Sequence, residues 1–537
     1  MKKTFRQSMA WLHTWTGLLL GWVLFAIMVT GTATYFRHEI TRWMQPEMPT
    51  HAPDRATVNA GLTRLQEIAS KAGRWGVELP DARSGAASIW WQEGLGRQGF
   101  KREVLPALDQ AGPTPQVRDT RGGEFFYRFH FQLQLPHPWG RYLAGAAAMF
   151  MFMALISGIV THRQFFKDFF AFRPGKNNPR TALDLHNVTA VLALPFYLLI
   201  SYSALVIFMH MYLPWAEKVL PEEKEAGSRP KAAQMAGDKA SSEQSASGVP
   251  DLAMILRLYD KAQSQWTTGA GPGVRRLEIS SRNSPEATVA FSRFDEGGVG
   301  MQRAAKLEFN GITGEAVEQK AERKGIVTAI HSVIYGLHLA RFAGTGLRWG
   351  FFFMGMMGSV LVATGLVLWT LKRRNRHLSA GRVPFGHWLV ERLNIATITG
   401  LFIAIGTLFW ANRLLPLSLA GRGDWEVDCF LYAWGFALLH ACVRPVGKAW
   451  REQLILVAFL FSGLPLLDAF TVGTYLRSSV RAGQWAHEAF DVAVLVLGLV
   501  AWTAAVRLAG RKVKQSGKSP TRPTASQAQD EPASEVA

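Results

Sequence analysis

The residues best suited to chemistry in this chain of 537 are its histidines. Two open apolar runs in matching surroundings: His13 in Trp11-Leu12-His13-Thr14-Trp15-Thr16-Gly17, and His186 in Asp184-Leu185-His186-Asn187-Val188-Thr189-Ala190. Two others precede apolar runs. His130 follows Phe129, with Gly140-Arg141-Tyr142 ten residues on; His338 follows Leu337, with Leu347-Arg348-Trp349 nine residues on. His162 closes the run ending Ser157-Gly158-Ile159-Val160-Thr161-His162, where the matching run ends Thr364-Gly365-Leu366-Val367-Leu368-Trp369. This pattern sorts His13, His186 and His162 into one layer, and His130 and His338 into another. His38 and His210 lie near the second layer, and His331 stands seven residues before His338. At about 1.5 Å per residue, the helix from His13 to His38 is roughly 37 Å long, so the layers belong to opposite faces of a bilayer.

Ionisable side chains at membrane depth are costly, which makes each a candidate for function. Neutral imidazoles on neighbouring helices are good axial ligands for haem iron, and two per iron leave a centre that carries electrons. Two such centres, one per layer, would form a path across the membrane. The competing role for a histidine at an interface is a hydrogen bond to a headgroup or carbonyl. Zinc is a weaker rival, because no compact carboxylate or thiolate cluster accompanies these histidines. His51, His137, His377 and His387 lie in or beside loops and read as structural, and His440 as a packed helix residue. Asp468 and the His487, Glu488, Asp491 group have the spacing to serve protons, or to cap and pack helices.

The elements that hold these residues are set by composition. Hydrophobic residues make up 48% of the chain and charged ones 18%, against about 25% charged in soluble domains. The apolar residues gather in runs of 18 or more, the length a bilayer demands. Eight spanning helices fit, at about 12–36, 141–162, 187–210, 347–371, 388–410, 428–443, 452–472 and 488–508. The first carries a basic start but is too long for a cleaved leader, so it reads as an anchor. The formal charge of +19 is distributed in clusters at alternate helix ends, such as Lys2, Lys3 and Arg6, or Lys372, Arg373, Arg374 and Arg376. That alternation puts both termini in the cytoplasm of a bacterial inner-membrane protein and leaves no basic soluble domain for nucleic acid. Only Cys429 and Cys442 occur, so any haem is held without covalent links.

Two long polar stretches fall on the periplasmic side of this topology. The first reads as a helix at 58–72 with strands at 87–91 and 101–105. The second reads as a helix at 252–264 with strands at 274–280, 287–291, 305–309 and 315–317. Each is a small α+β module. Gly94-Leu95-Gly96-Arg97-Gln98-Gly99 mimics a dinucleotide loop, but a proline-ended strand follows it, so it reads as a hairpin turn. The domain order is then a first span (1–36), a module (37–129), two spans (130–210), a module (211–337), a fourth span (338–375), four further helices (386–510) and a disordered tail (511–537). Residues 1–165 and 180–375 read as two parallel copies of helix, module, helix. The fold class is a mainly α-helical integral membrane protein with about eight transmembrane helices and two periplasmic α+β domains.

These residues resemble the PepSY-associated transmembrane proteins. The resemblance runs through Leu12-His13-x-Trp15-x-Gly17, Gly140-Arg141-Tyr142-Leu143-x-Gly145, Ser157-Gly158-x-Val160-x-His162-Arg163, Asp184-Leu185-His186-Asn187, and Leu337-His338 through Lys372-Arg373-Arg374. It covers about residues 8–375 and implies that the modules are PepSY domains. Some members are haem-containing siderophore reductases. The resemblance therefore implies haem b held by His13, His130, His186, His338 and His162; the two layers point to two such haems, and His331 and His210 are alternative iron ligands by position. It also implies reduction of a ferric siderophore in the periplasm, with electrons from a cytoplasmic reductase or membrane quinol. The competing readings are a sensor that binds envelope proteins through its modules, and a transporter.

Overall fold

The computed structural model describes the chain apart from residues 1–3, 82, 95–98, 109–115, 162–177, 214–249, 268–272, 285, 294–304, 318–325, 380, 482–485 and 517–537. The chain opens with α1 (Phe5–Leu19), started by a capping box in which Thr4 and Gln7 exchange side-chain and backbone hydrogen bonds. It continues as α2 (Gly21–Thr34) after a break at Leu20 that bends the pair by 65°. The short α3 (Arg37–Met44) leads to the first polar stretch, with α4 (Arg55–Ile68), β1 (Arg74–Glu78), β2 (Ser88–Gln92) and β3 (Phe100–Val104). Then come α5 (Gly122–Gln132) and the long α6 (Trp139–Thr161).

The next apolar run is again broken. Helix α7 (Asn178–Leu192) and α8 (Leu194–Ile207) meet at Ala193 with a 70° bend. Backbone angles at the two breaks are nearly the same, φ −113° and ψ 11° at Leu20 against φ −114° and ψ 21° at Ala193. Pro195 near the start of α8 lacks the N–H that would continue the ladder, and the Tyr197 hydroxyl donates to Thr189 O across the second break at 3.1 Å. The second polar stretch follows α9 (Met209–Tyr212) and holds α10 (Leu252–Thr267), β4 (Arg276–Ser280), β5 (Thr288–Arg293) and β6 (Ala305–Asn310). The expected strand at 315–317 is reduced to one bridge, Phe309 to Ala316. Then come α11 (Ile326–Leu339), α12 (Thr345–Ser379), α13 (Phe385–Ile398), α14 (Gly400–Leu414), α15 (Arg422–Val443), α16 (Val446–Arg481) and α17 (Ala486–Ser516).

Among the described residues six helical spans are long and apolar enough to cross a membrane, or eight if each bent pair is one span. The chain is thus a multi-pass membrane protein. The two polar stretches are not separate bodies. Strand β1 pairs antiparallel with β4, so all strands join in one sheet of order β3-β2-β1-β4-β5-β6. Val58, Leu62 and Leu65 of α4 and Ile255, Leu258 and Tyr259 of α10 share a core with Trp75, Val77, Ile89, Leu277 and Phe291 of the strands. Alternate strand residues carry that apolar face, as period-two patterning requires.

The last four spans pack on α2, α3 and α5. Phe25, Trp43, Phe125, Phe126 and Phe129 share one core with Leu401, Leu408, Phe409, Phe430 and Phe461. At the sheet-side end this contact becomes ionic: Arg118 pairs with Glu47 and Arg422 with Glu426, and both guanidinium groups also donate to Asn412 O.

Candidate functional site

The histidines expected in one layer meet as a pair. The rings of His13 on α1 and His186 on α7 have centroids 6.3 Å apart and planes at 76°. Each is fixed by a helix at its back. His13 Nδ1 lies 2.8 Å from Ala154 O of α6, and His186 Nδ1 lies 3.0 Å from Leu361 O of α12. A carbonyl only accepts, so Nδ1 carries the proton in both rings and Nε2 is the basic nitrogen. Glycine eases the close approach: a Cβ on Gly158 or Gly365 would stand 3.2 Å from Cε1 of His13 or His186, a slightly tight contact. Thr16 and Thr189, one turn further on, return their hydroxyls to Leu12 O and Leu185 O, each at 2.8 Å.

The second layer forms a second pair. His130 on α5 and His338 on α11 have ring centroids 6.2 Å apart and planes at 34°. His130 Nδ1 lies 2.9 Å from Ile27 O of α2, so it donates there. His338 Nδ1 lies 2.8 Å from Ser203 Oγ of α8. Ser203 gives its one hydrogen to Leu199 O at 2.6 Å, so His338 is the donor and again keeps a basic Nε2. A Cβ on Gly31 would come within 2.5 Å of His130 Nδ1. On the bent helices, His13 and His186 stand seven residues before the breaks at Leu20 and Ala193, while Ile27, whose carbonyl holds His130, and Ile200, one turn before Ser203, stand seven after them. With arms of about 10.5 Å, the 65° and 70° bends place the two levels roughly 18 Å and 17 Å apart along the two bent helices.

This geometry suits a metal ion between each pair. Metal–imidazole bonds are about 2 Å long, and an imidazole nitrogen lies about 1.1 Å from its ring centre. Two rings facing across one ion therefore have centroids about 6.2 Å apart, whatever their twist about the common axis. The backbone acceptors behind Nδ1 set the tautomer and strengthen Nε2 as a donor to metal.

Several other expected residues lie elsewhere. His162 and the side chain of His210 fall outside the described residues. His331 is on α11 with its ring 6.2 Å from that of Tyr335. His38 accepts from Arg37 Nε at 3.4 Å, and burial, then Arg37 and Arg83, push its imidazole down to about 4. His51 is structural, joining Pro106 O to Ala87 N–H. His377 and His387 lie with centroids 4.9 Å apart and planes tilted by 60°, and His440 bonds Glu452 at 2.9 Å. Among the small residues of the spans, Gly145 closes on Tyr212, and Gly355 and Gly358 on Thr32 and Met28, so these admit helices and side chains at close range. The acids near the C-terminus converge: Asp468, His487 and Asp491 offer ligand atoms within 4.8 Å of one another. Sequence reasoning missed Ser203, Gly31 and the carbonyl acceptors, whose roles depend on helix packing. A signal existed for Gly158 and Gly365, which occupy matching places in Ser157-Gly158 and Thr364-Gly365.

Among known proteins, the uncharacterized protein PA4219 of Pseudomonas aeruginosa is 22% identical over 336 residues, covering 60% of this chain and 80% of that one. The model of the PepSY-associated TM region matches residues 10–372, a stretch that takes in all four paired histidines and both helix breaks; the chain belongs to that family.

Proposed function

We propose that the chain is a transmembrane electron-transfer protein with two non-covalent haem b groups, one between His13 and His186 and one between His130 and His338. Its electrons would reduce a ferric siderophore on the periplasmic side of a bacterial inner membrane, releasing Fe(II). The observation that carries this reading is the pair of imidazole spacings, 6.3 and 6.2 Å, each with its Nδ1 hydrogen bonds already made. When bound, each haem supplies a one-electron redox centre. His13 with His186, and His130 with His338, would hold each iron through their Nε2 atoms, their Nδ1 atoms being engaged by hydrogen bonds. The surrounding apolar helices keep water from the path. Cys429 and Cys442 are far from any Cys-x-x-Cys-His motif, in keeping with non-covalent binding.

The two-copy organisation supports the same reading. A shift of 173 residues carries His13 to His186, Leu20 to Ala193 and Ile27 to Ile200; a shift of 207 carries Ala154 to Leu361 and Gly158 to Gly365. Each copy would contribute one ligand to each haem. The halves of the shared sheet, one helix and three strands each, are read as PepSY-like modules that hold the chelate or screen the outer haem. The basic cluster Lys372, Arg373, Arg374 and Arg376 lies past the first pair, which supports reading that pair as the cytoplasmic one. Electrons would enter there from a cytoplasmic reductase or membrane quinol.

The test is ferric-chelate reduction by the full chain in proteoliposomes supplied with quinol or reductant. His338→Ala should remove one of two haems and abolish reduction while insertion is unchanged. Full haem content and activity in that variant would overturn the assignment.

A further inference from the structure

The C-terminal four helices contain a second constellation that the histidine pairs do not use. Trp43 of α3, fully buried, donates its indole N–H to Asp491 of α17 at 2.9 Å. Arg413 of α14 lies over the same indole, 3.8 Å from its centroid, and donates to Trp43 O at 2.6 Å. The same guanidinium holds Asp468 of α16 through Nε at 2.7 Å and Nη2 at 2.6 Å. The other oxygen of Asp468 is 2.7 Å from His487 Nε2, at the start of α17. Arg413 and Asp468 have no exposed side-chain surface.

Charge counting shows what this cluster lacks. Every element packed around it contributes charge: Arg42 and Glu39 from α3, Glu47 and Arg118 from the flanking segments, Arg413 from α14, Arg422 and Glu426 from α15, Asp468 from α16, and His487, Glu488 and Asp491 from α17. Glu39 is matched by Arg83 and Arg348, Glu47 by Arg118, Glu426 by Arg422 and Asp468 by Arg413, whereas Glu488 has neither oxygen hydrogen-bonded. Within this cluster, among the described residues, Asp491 and Glu488 are the carboxyls with no ion pair, and of the two only Asp491 is hydrogen-bonded into it, through the neutral Trp43 indole. Asp468 accepts from three N–H groups, which favours its ionised form, whereas Asp491 accepts from the Trp43 indole alone. An ionised Asp491 would leave one negative charge uncompensated beside the membrane core.

Both oxygens of Asp468 are already engaged, by Arg413 and by His487, so Asp491 is the carboxyl of the cluster with an oxygen free to take a proton. We propose that Asp491 holds a dissociable proton, making the Trp43–Arg413–Asp468–His487–Asp491 cluster a proton-binding site of the C-terminal helices. Asp491 is only partly covered and lies near the sheet-side end of α17, where water on that side exchanges the proton. His487, hydrogen-bonded to Asp468 within the same cluster, is the adjacent group that can relay it.

The site also has a route to the second histidine pair. Trp43 contacts Phe409 at 5.5 Å, and Phe409 contacts Phe126 at 5.9 Å. Phe126 is one helical turn before His130 on α5, a path of roughly 17 Å in all. A unit charge at that distance changes proton affinity about fivefold at an effective dielectric of about 20. An electron at the second pair would therefore raise the proton occupancy of Asp491 by a fraction of a proton taken from sheet-side water, with the O–H bond formed at the carboxyl and one O–H bond of the hydrated proton broken. This coupling rests on the haem reading; the proton site itself does not.

The experiment is infrared spectroscopy of the full-length protein in H2O and D2O, with metal content measured on the same sample. The wild type should show a protonated-carboxyl stretch near neutral pH that shifts in D2O and disappears as pH rises. Asp491→Asn, which keeps an acceptor for Trp43, should lack it. A wild type without that band overturns the proposal, whether or not the variant folds. So does a band that persists in Asp491→Asn, or a stoichiometric bound metal lost in that variant. For the coupling, the midpoint potential of the outer haem should fall with rising pH in the wild type and not in Asp491→Asn. Equal slopes would overturn the coupling, and absence of haem would overturn the earlier reading while the infrared result stands on its own.

Discussion

Gly31→Ala should empty the second histidine pair while sparing the first. The new Cβ would stand 2.5 Å from His130 Nδ1 and 2.6 Å from Cε1, where carbon contacts want about 3.5 Å. The imidazole must retreat by about 1 Å. Its 2.9 Å bond to Ile27 O cannot survive a retreat of that size. Overpacking of this kind costs about 1–3 kcal/mol, and loss of a hydrogen bond behind a metal-bound imidazole lowers metal affinity about 10–100-fold. The assay is haem content per chain with the optical spectrum of the purified variant. One haem should remain, with the spectral component of the first pair unchanged. Gly158→Ala is the control, because its Cβ meets His13 Cε1 at 3.2 Å and needs only a few tenths of an ångström. Two haems with wild-type spectra in Gly31→Ala would refute the reasoning.

Ser203→Ala removes the acceptor of His338 Nδ1–H without adding volume, and should weaken haem binding at the second pair about 10–100-fold. Equal affinity at both sites in a haem titration would count against it. Arg413→Met leaves Asp468 buried with His487 as its remaining partner and should destabilise the chain by about 3–5 kcal/mol. Asp424→Asn, which breaks the exposed pair with Arg121, should cost less than about 1 kcal/mol; thermal unfolding in detergent compares the two. Glu39 ties the sheet to α3 through Arg83 and Arg348. Burial raises its carboxyl, but Arg83 and Arg348 outweigh burial and hold it below the usual carboxylate range. The tie is therefore complete above the ordinary glutamate value of about 4.3 and is lost as pH falls through the lower folded value. Hydrogen exchange in α3 should rise only in that acid window, and Glu39→Gln should raise it at neutral pH.

The layers of the histidines were legible because matched flanking residues made His13 equivalent to His186 and His130 to His338; which of His13, His162 and His186 meet was not. The helix breaks were not. Nothing in the apolar run around Leu20 marks a bend, and Pro195 marks only the second. Strand β1 escaped because Gly76 interrupts it; the glycine is there because the Trp90 indole lies across it, 2.1 Å from where a Cβ would sit. The joining of the two modules through β1 and β4 is a pairing across some 200 residues, with no local sign. The same holds for the acid cluster. Asp468, His487 and Asp491 were visible as types, but Trp43 and Arg413, which set their charge state, come from elsewhere in the chain.

The central claim is that each histidine pair holds an iron between two Nε2 atoms. The measurement that tests it most directly is the reduced-minus-oxidised absorption spectrum of the purified chain, with haem and iron quantified. The account predicts sharp low-spin b-type bands at about two haems per chain, falling to about one in His130→Ala or His186→Ala. A protein from haem-replete cells with no haem bands would contradict it.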